Sequence, residues 1–106
     1  MAEPAPAPFR LAPGPDGGLS AQGPLTFATA RAARLAGLAA LQTSRQATRI
    51  DCAGVTSADS AGLAVLLDWL AGARLAGLSL QLTNLPQDLT ALGRISEVDQ
   101  LLARGV

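Results

Sequence analysis

The chain has 106 residues, 49% of them apolar, and a formal net charge of zero. This length favours one compact domain and leaves little room for a second. All eight basic residues are arginines scattered along the chain, which argues against a nucleic-acid-binding protein because no basic stripe is present. With one cysteine and no histidine, a disulfide-stapled fold is excluded and a zinc site is not expected. We expect no metal and no cofactor.

The N-terminal segment predicts a flexible tail. Residues 1–8 are mostly proline and alanine, and a single folded domain is expected over 9–106. The start has no basic residue followed by an apolar run, as a signal peptide would have. The longest apolar stretches, 35–41 and 61–67, are too short to span a bilayer. We therefore expect a cytoplasmic protein.

Two short segments after the tail predict a β-hairpin. They comprise residues 9–13 and 18–23, and the sequence GPDG lies between them. Pro15 and Asp16 are typical turn residues.

The next stretch predicts a helix over residues 24–42. It is expected to begin near Phe27, with Thr26 as a possible N-cap. The polar residues 43–47 then predict a loop.

A strand is predicted over residues 47–55, where Ile50 and Cys52 share one face and Gly54 ends the strand. Cys52 is interpreted as a buried core thiol. A polar loop over 56–59 leads into a helix over 60–76. We expect Asp51, on the opposite face of the strand, to order that loop.

The remaining elements complete an alternating pattern. Residues 77–85 predict a strand, Pro86 opens a short helix through about Gly93, and Ser96 with Asp99 resembles a capping box at the start of a last helix. The order β-β-α-β-α-β-α-α predicts an α/β fold, in which an N-terminal hairpin precedes a mainly parallel sheet. About four strands and four helices are expected.

The helix over 60–76 has an unusual outer face. Leucines at 63, 66, 67 and 70 form the arc that should face the sheet. The opposite arc contains one charged residue among five: Ala61, Val65, Asp68, Trp69 and Gly72. Either neighbouring helices cover this arc, or it is a partner-binding surface that begins at Ser60. In the second case, Gly72 would allow another chain to approach closely.

Ser60 lies where unpaired N–H groups and the helix dipole favour negative charge. Asp59 or Ser57 could cap this helix, so the polar residues could be a cap alone. The same position would also suit a phosphorylated hydroxyl. No base of suitable pKa accompanies Ser60, which argues against an enzyme.

The segment IDCAGVTSADSAGLAVLL resembles the signature of STAS domains, the family of bacterial anti-anti-sigma factors. The flanking GPLTFAT and NLPQDLTALGRISEVDQLL resemble other parts of that family, and the resemblance covers residues 9–103. It implies a STAS-like fold over the single domain. In anti-anti-sigma factors, the serine at the position of Ser60 is phosphorylated by a partner kinase.

The sequences LTFAT and NLP resemble one branch more closely, the MlaB-type STAS subunits of Mla phospholipid-transport ABC systems. This resemblance implies a non-enzymatic cytoplasmic subunit that binds the transporter's ATPase at the inner membrane and helps to maintain outer-membrane lipid asymmetry. Together with the helical wheel, it predicts these partner-binding residues: Ser60, Ala61, Val65, Asp68 and Trp69. The alternative is an anti-sigma factor antagonist that binds a serine kinase and is switched by phosphorylation of Ser60.

Overall fold

The computed structural model describes residues 8–14, 17–43 and 48–106. Most of the predicted tail, the turn residues Pro15 and Asp16, and most of the predicted loop over 43–47 lie outside the described residues. Within them the predicted order of strands and helices is confirmed. The elements in chain order are β1 (Arg10–Pro13), β2 (Leu19–Leu25), α1 (Ala30–Thr43), β3 (Thr48–Ala58), α2 (Ser60–Leu75), β4 (Leu80–Thr83), α3 (Gln87–Ile95) and α4 (Asp99–Arg104).

The four strands form one sheet in the order β1-β2-β3-β4. β1 and β2 are antiparallel, whereas β2 pairs with β3 and β3 with β4 in parallel. The connections β2–α1–β3 and β3–α2–β4 both step toward β4 across the sheet. Because such connections are right-handed, α1 and α2 lie on the same face of the sheet. Burial agrees, because Ile50 and Cys52 are buried while Arg49 and Ala53 on the other face are exposed. The α/β class and mainly parallel sheet are confirmed.

The first crossover helix begins later than predicted. β2 continues through Leu25, because Pro24 and Leu25 pair with the end of β3. A turn then precedes α1, and in it the Thr29 hydroxyl accepts a hydrogen bond from the Thr26 N–H at 3.0 Å and donates one to the Pro24 carbonyl at 2.8 Å. The prediction that Thr26 caps a helix starting near Phe27 is therefore wrong.

β3 is also longer than predicted. It runs through Ala58, so the expected loop over 56–59 is wrong, and Ser57 lies in the strand. Gly54 does not end β3; a Cβ there would lie 2.8 Å from the Ala21 carbonyl oxygen, so glycine allows β2 to approach where the pairing register shifts.

The last helix begins at Asp99 rather than near Ser96. Ser96 is the C-cap of α3, and the next residue, Glu97, has a φ of 61°. This left-handed residue turns the chain before α4, whose N-cap Val98 has no side-chain hydrogen bond. The predicted capping box of Ser96 and Asp99 is therefore wrong.

The seam between α1 and α2 covers part of the outer arc of α2, which is the first of the two alternatives considered for that arc. Trp69 is 0% exposed and Val65 3% exposed. The Trp69 Nε1–H donates to the Ala33 carbonyl at 3.1 Å, and a side chain at Gly37 would overlap the indole. Both side chains are buried within the domain, and Trp69 joins the two helices, so the prediction that Val65 and Trp69 bind a partner is wrong for this fold.

Gly72 has its explanation within the same chain. A Cβ at this position would lie 2.6 Å from Leu38 Cδ2 on α1. The close neighbour is thus a side chain of this chain rather than a partner. Trp69 also meets the Phe9 ring, with centroids 5.9 Å apart, which joins the seam to the start of the hairpin.

Candidate functional site

The N-terminus of α2 is built on Asp59. Its extended backbone directly precedes Ser60, and its Oδ1 accepts a hydrogen bond from the Gly62 N–H at 3.1 Å. This satisfies one of the N–H groups that a helix start leaves unpaired. The prediction that Asp59 caps the helix is confirmed, and Ser57, in β3, is not the cap.

The second oxygen of Asp59 has a separate partner. Asp59 Oδ2 accepts a hydrogen bond from the Phe27 N–H at 3.0 Å, across 32 positions of sequence. The Phe27 N–H is the main reason that the pKa of Asp59 lies below its usual range, and the Gly62 N–H adds to the effect. One carboxylate thus fixes the start of α2 and the turn before α1 relative to each other.

Gly62 brings the first turn of α2 onto the end of β2. A Cβ at Gly62 would collide with the Leu25 carbonyl oxygen, which is backbone and cannot turn aside. The Asp59 N–H lies 3.4 Å from the same oxygen. The glycine of the segment Asp59–Gly62 therefore serves packing between helix and strand.

Ser60 itself is exposed at the helix start. In the described part of the chain, its hydroxyl has no hydrogen-bond partner, so the group is free for an external contact. Ala61 is half-buried, and Ala64 and Asp68 follow Ser60 along the exposed side of α2 at four-residue spacing. Three of the five residues predicted to bind a partner thus lie at the surface: Ser60, Ala61 and Asp68.

Asp68 connects the exposed sides of the two helices. Its Oδ2 lies 3.0 Å from Arg34 Nε, and both side chains are half-exposed. A surface pair of this kind contributes little to stability. The pair does neutralise both charges at the end of the exposed row formed by Ser60, Ala64 and Asp68.

Phe27 is the surface residue that sequence reasoning missed. Its side chain is 85% exposed, whereas the other two aromatic residues, Phe9 and Trp69, are buried. The available signal was an aromatic residue in the strand-to-helix connection LTFAT, and placing a helix start there concealed it. We call the following six residues the Ser60 surface: Phe27, Arg34, Ser60, Ala61, Ala64 and Asp68.

Asp51 and Cys52 lie away from this surface. Asp51 Oδ1 accepts hydrogen bonds from the Ala53 N–H at 2.9 Å and from Asn84 Nδ2 at 3.1 Å. It therefore ties β3 to the residue after β4, and the prediction that it orders the approach to Asp59 is wrong. Cys52 is the predicted core thiol, and burial, followed by the charge of Asp51, raises its pKa to about 12.

In the ranges 8–14, 17–43 and 48–106, every helix is too short or too polar to cross a membrane.

Comparison with known families and structures decides the classification. A family model described as "Mlab, STAS domain" matches residues 12–103. The chain belongs to the STAS domain family. The resemblance seen in the sequence is confirmed, and STAS domains are modules of protein interaction and regulation.

Two solved structures share the fold of this STAS domain. A sulfate transporter family protein from Wolinella succinogenes is 16% identical with a TM-score of 0.60, covering 79% of this chain and 68% of that one. The anti-sigma factor antagonist SpoIIAA in its unphosphorylated form is 15% identical with a TM-score of 0.58, covering 88% and 82%. No curated protein matches the chain. At these identities the structures establish the fold.

Proposed function

We propose that this STAS domain is a non-enzymatic cytoplasmic subunit that binds the ATPase of an Mla-type ABC transporter for phospholipids. It would act at the inner membrane through that partner and help to maintain outer-membrane lipid asymmetry. The observation that carries the proposal is the Ser60 surface, which is exposed and structurally fixed in a domain whose family model is described as MlaB.

The surface favours binding over catalysis. Asp59 is the carboxylate next to Ser60, but both of its oxygens accept backbone N–H groups, from Gly62 and Phe27. Its lowered pKa also makes it a weak proton acceptor. The Ser60 hydroxyl is therefore available for a hydrogen bond without being activated as a nucleophile.

The side chains along α2 permit close contact. Ser60, Ala61 and Ala64 are short, so the backbone of a partner can approach the helix. The paired Arg34 and Asp68 form a polar edge with no net charge. Small residues surrounded by polar groups are compatible with a protein interface that is covered in the complex.

Co-purification tests the proposal. The chain is mixed with the purified ATPase subunit of an Mla-type transporter and, separately, with an anti-sigma serine kinase. We expect a stable complex with the ATPase, weakened by Ser60→Asp because docking would bury an unmatched charge. Gln81→Glu is the matched control, since it adds the same charge at an exposed position of β4 that pairs with Arg49, on the face of the sheet away from α1 and α2. If the wild type forms no complex with the ATPase, the proposal is wrong.

The alternative is an anti-sigma factor antagonist switched by phosphorylation of Ser60. The exposed hydroxyl at the start of α2 favours it, because that position accepts added negative charge. This alternative predicts binding to the kinase and, with ATP, incorporation of phosphate at Ser60. Binding to the kinase alone would replace the first proposal.

A further inference from the structure

We propose that Phe27 is an anchor of the Ser60 surface that inserts into an apolar pocket of the partner protein. In this inference Asp59 is a positioning residue that holds Phe27 beside Ser60, so that the ring and the hydroxyl dock together. The inference rests on the proposed function, in which the Ser60 surface binds a protein.

Phe27 is an aromatic side chain that the fold leaves exposed. Among the described residues four large apolar side chains are exposed: Phe27, Leu35, Leu75 and Ile95. Phe27 is the aromatic one, and its backbone is bonded to Asp59, the residue before Ser60. Aromatic side chains bury a large area when they enter a pocket, and they lose little conformational freedom. An exposed phenylalanine, bonded through its backbone to the residue before a free hydroxyl, fits recognition better than stability.

The backbone beneath the Phe27 ring is held by several hydrogen bonds. The Phe27 N–H is bonded to Asp59 Oδ2, and the Thr29 hydroxyl bonds to Thr26 N–H and to the Pro24 carbonyl. The Thr29 N–H also donates to the Thr26 carbonyl at 3.0 Å. These bonds fix the turn although the ring has little packing of its own. A fixed anchor loses less entropy on binding than a flexible one.

The acidic groups at and beside the Ser60 surface already have partners within the chain. Asp59 is occupied by two backbone donors, and Asp68 is paired with Arg34. Arg31, in the first turn of α1, is exposed and has no ion pair within the described residues. The surface near Phe27 is therefore neutral to weakly basic. A complementary partner has an apolar pocket with a neutral or acidic edge.

The test measures affinity and melting temperature for single and double variants. Phe27→Ala should weaken binding to the ATPase about tenfold or more while the melting temperature stays near that of the wild type. Leu75→Ala, which also truncates an exposed apolar side chain but lies at the far end of α2, should bind normally. If Phe27→Ala binds the ATPase as tightly as the wild type while Ser60→Asp binds more weakly, Phe27 is not an anchor and the proposed function still stands.

Asp59→Asn tests the positioning role. The amide oxygen can still cap Gly62 N–H, and asparagine is a good N-cap, but its NH₂ group cannot accept the Phe27 N–H. We expect a severalfold loss of affinity in the wild-type background and little further loss in the Phe27→Ala background. Equal losses in both backgrounds would show that Asp59 does not act through Phe27.

Two further outcomes separate the remaining possibilities. A wild type that binds neither the ATPase nor the kinase overturns both the proposed function and the anchor. Vesicles of phosphatidylethanolamine and phosphatidylglycerol provide the other measurement. If the wild type binds them and Phe27→Ala does not, the ring inserts into lipid and the assignment to a protein pocket is wrong.

Discussion

Trp69, in α2, packs in a buried seam between helices. Phe27, whose backbone is bonded to the N-cap of α2, lies on an exposed surface. Trp69 is 0% exposed in the α1–α2 seam, where its ring occupies the space left by the missing side chain of Gly37. Phe27 is 85% exposed, and its position comes from its backbone bond to Asp59. The seam uses its aromatic side chain for stability, whereas the Ser60 surface leaves its aromatic side chain free for a partner.

The largest expected effect is on the seam. Trp69→Ala should lower the free energy of unfolding by about 3–5 kcal/mol, because a buried ring and the hydrogen bond to Ala33 are lost together. Urea denaturation measures the change, with Phe27→Ala as the comparison. A stable Trp69→Ala protein would mean that the seam is not a structural core.

Two glycines of α2 offer a sharper comparison with a single substitution. Gly62→Ala should destabilise the fold by roughly 1–3 kcal/mol, since the new Cβ collides with the backbone oxygen of Leu25. Gly72→Ala meets the flexible end of Leu38, and the gain of up to about 1 kcal/mol in helix propensity should offset that contact. Thermal melts of both proteins are the measurement; equal losses would refute the distinction between the two contacts.

Ser60→Ala should change stability by less than about 1 kcal/mol, because Asp59 provides the cap. Ser60→Asp should also fold, since the helix N-terminus accepts negative charge. Melting temperature and affinity for the ATPase are measured together. A sharp loss of stability in Ser60→Ala, with normal binding of the folded fraction, would assign the hydroxyl a structural role.

The smallest effect is a pH dependence at Asp59. Its pKa is lower in the folded than in the unfolded chain, so its contribution to stability is present above the unfolded value of about 3.9. That contribution is lost as the pH falls through the folded value. Unfolding measured between neutral pH and pH 3 should show a smaller acid loss for Asp59→Asn than for the wild type. Asp51, whose pKa is also lowered, remains in both proteins. Identical acid profiles would contradict the role of the Asp59 bonds.

The fold was predictable because strand and helix patterns alternate clearly and the segment Asp59–Gly62 is a specific motif. The residues at which strands and helices begin and end were harder to predict. The continuation of β2 through Pro24 and Leu25 depends on pairing with β3, a contact between distant parts of the chain. A helical wheel likewise shows which residues share a face, but it cannot show that another helix covers that face.

The site was predictable in part for the same reason. The cap at Asp59 follows from local sequence, and the structure bears it out. Phe27 could not be connected with it, because their hydrogen bond joins residues 32 positions apart. Trp69 was misassigned because the space for its ring is provided by Gly37 on another helix.

The single buried thiol makes this protein convenient for fluorescence measurements. Cys52 is the one cysteine of the chain, and burial raises its pKa to about 12, so the folded protein contains almost no reactive thiolate at neutral pH. A cysteine introduced at exposed Arg49, on the uncovered face of the sheet, can then be labelled selectively without removing Cys52. The fluorescence anisotropy of a dye on that reverse side would rise when a partner binds, while the helical face stays unmodified.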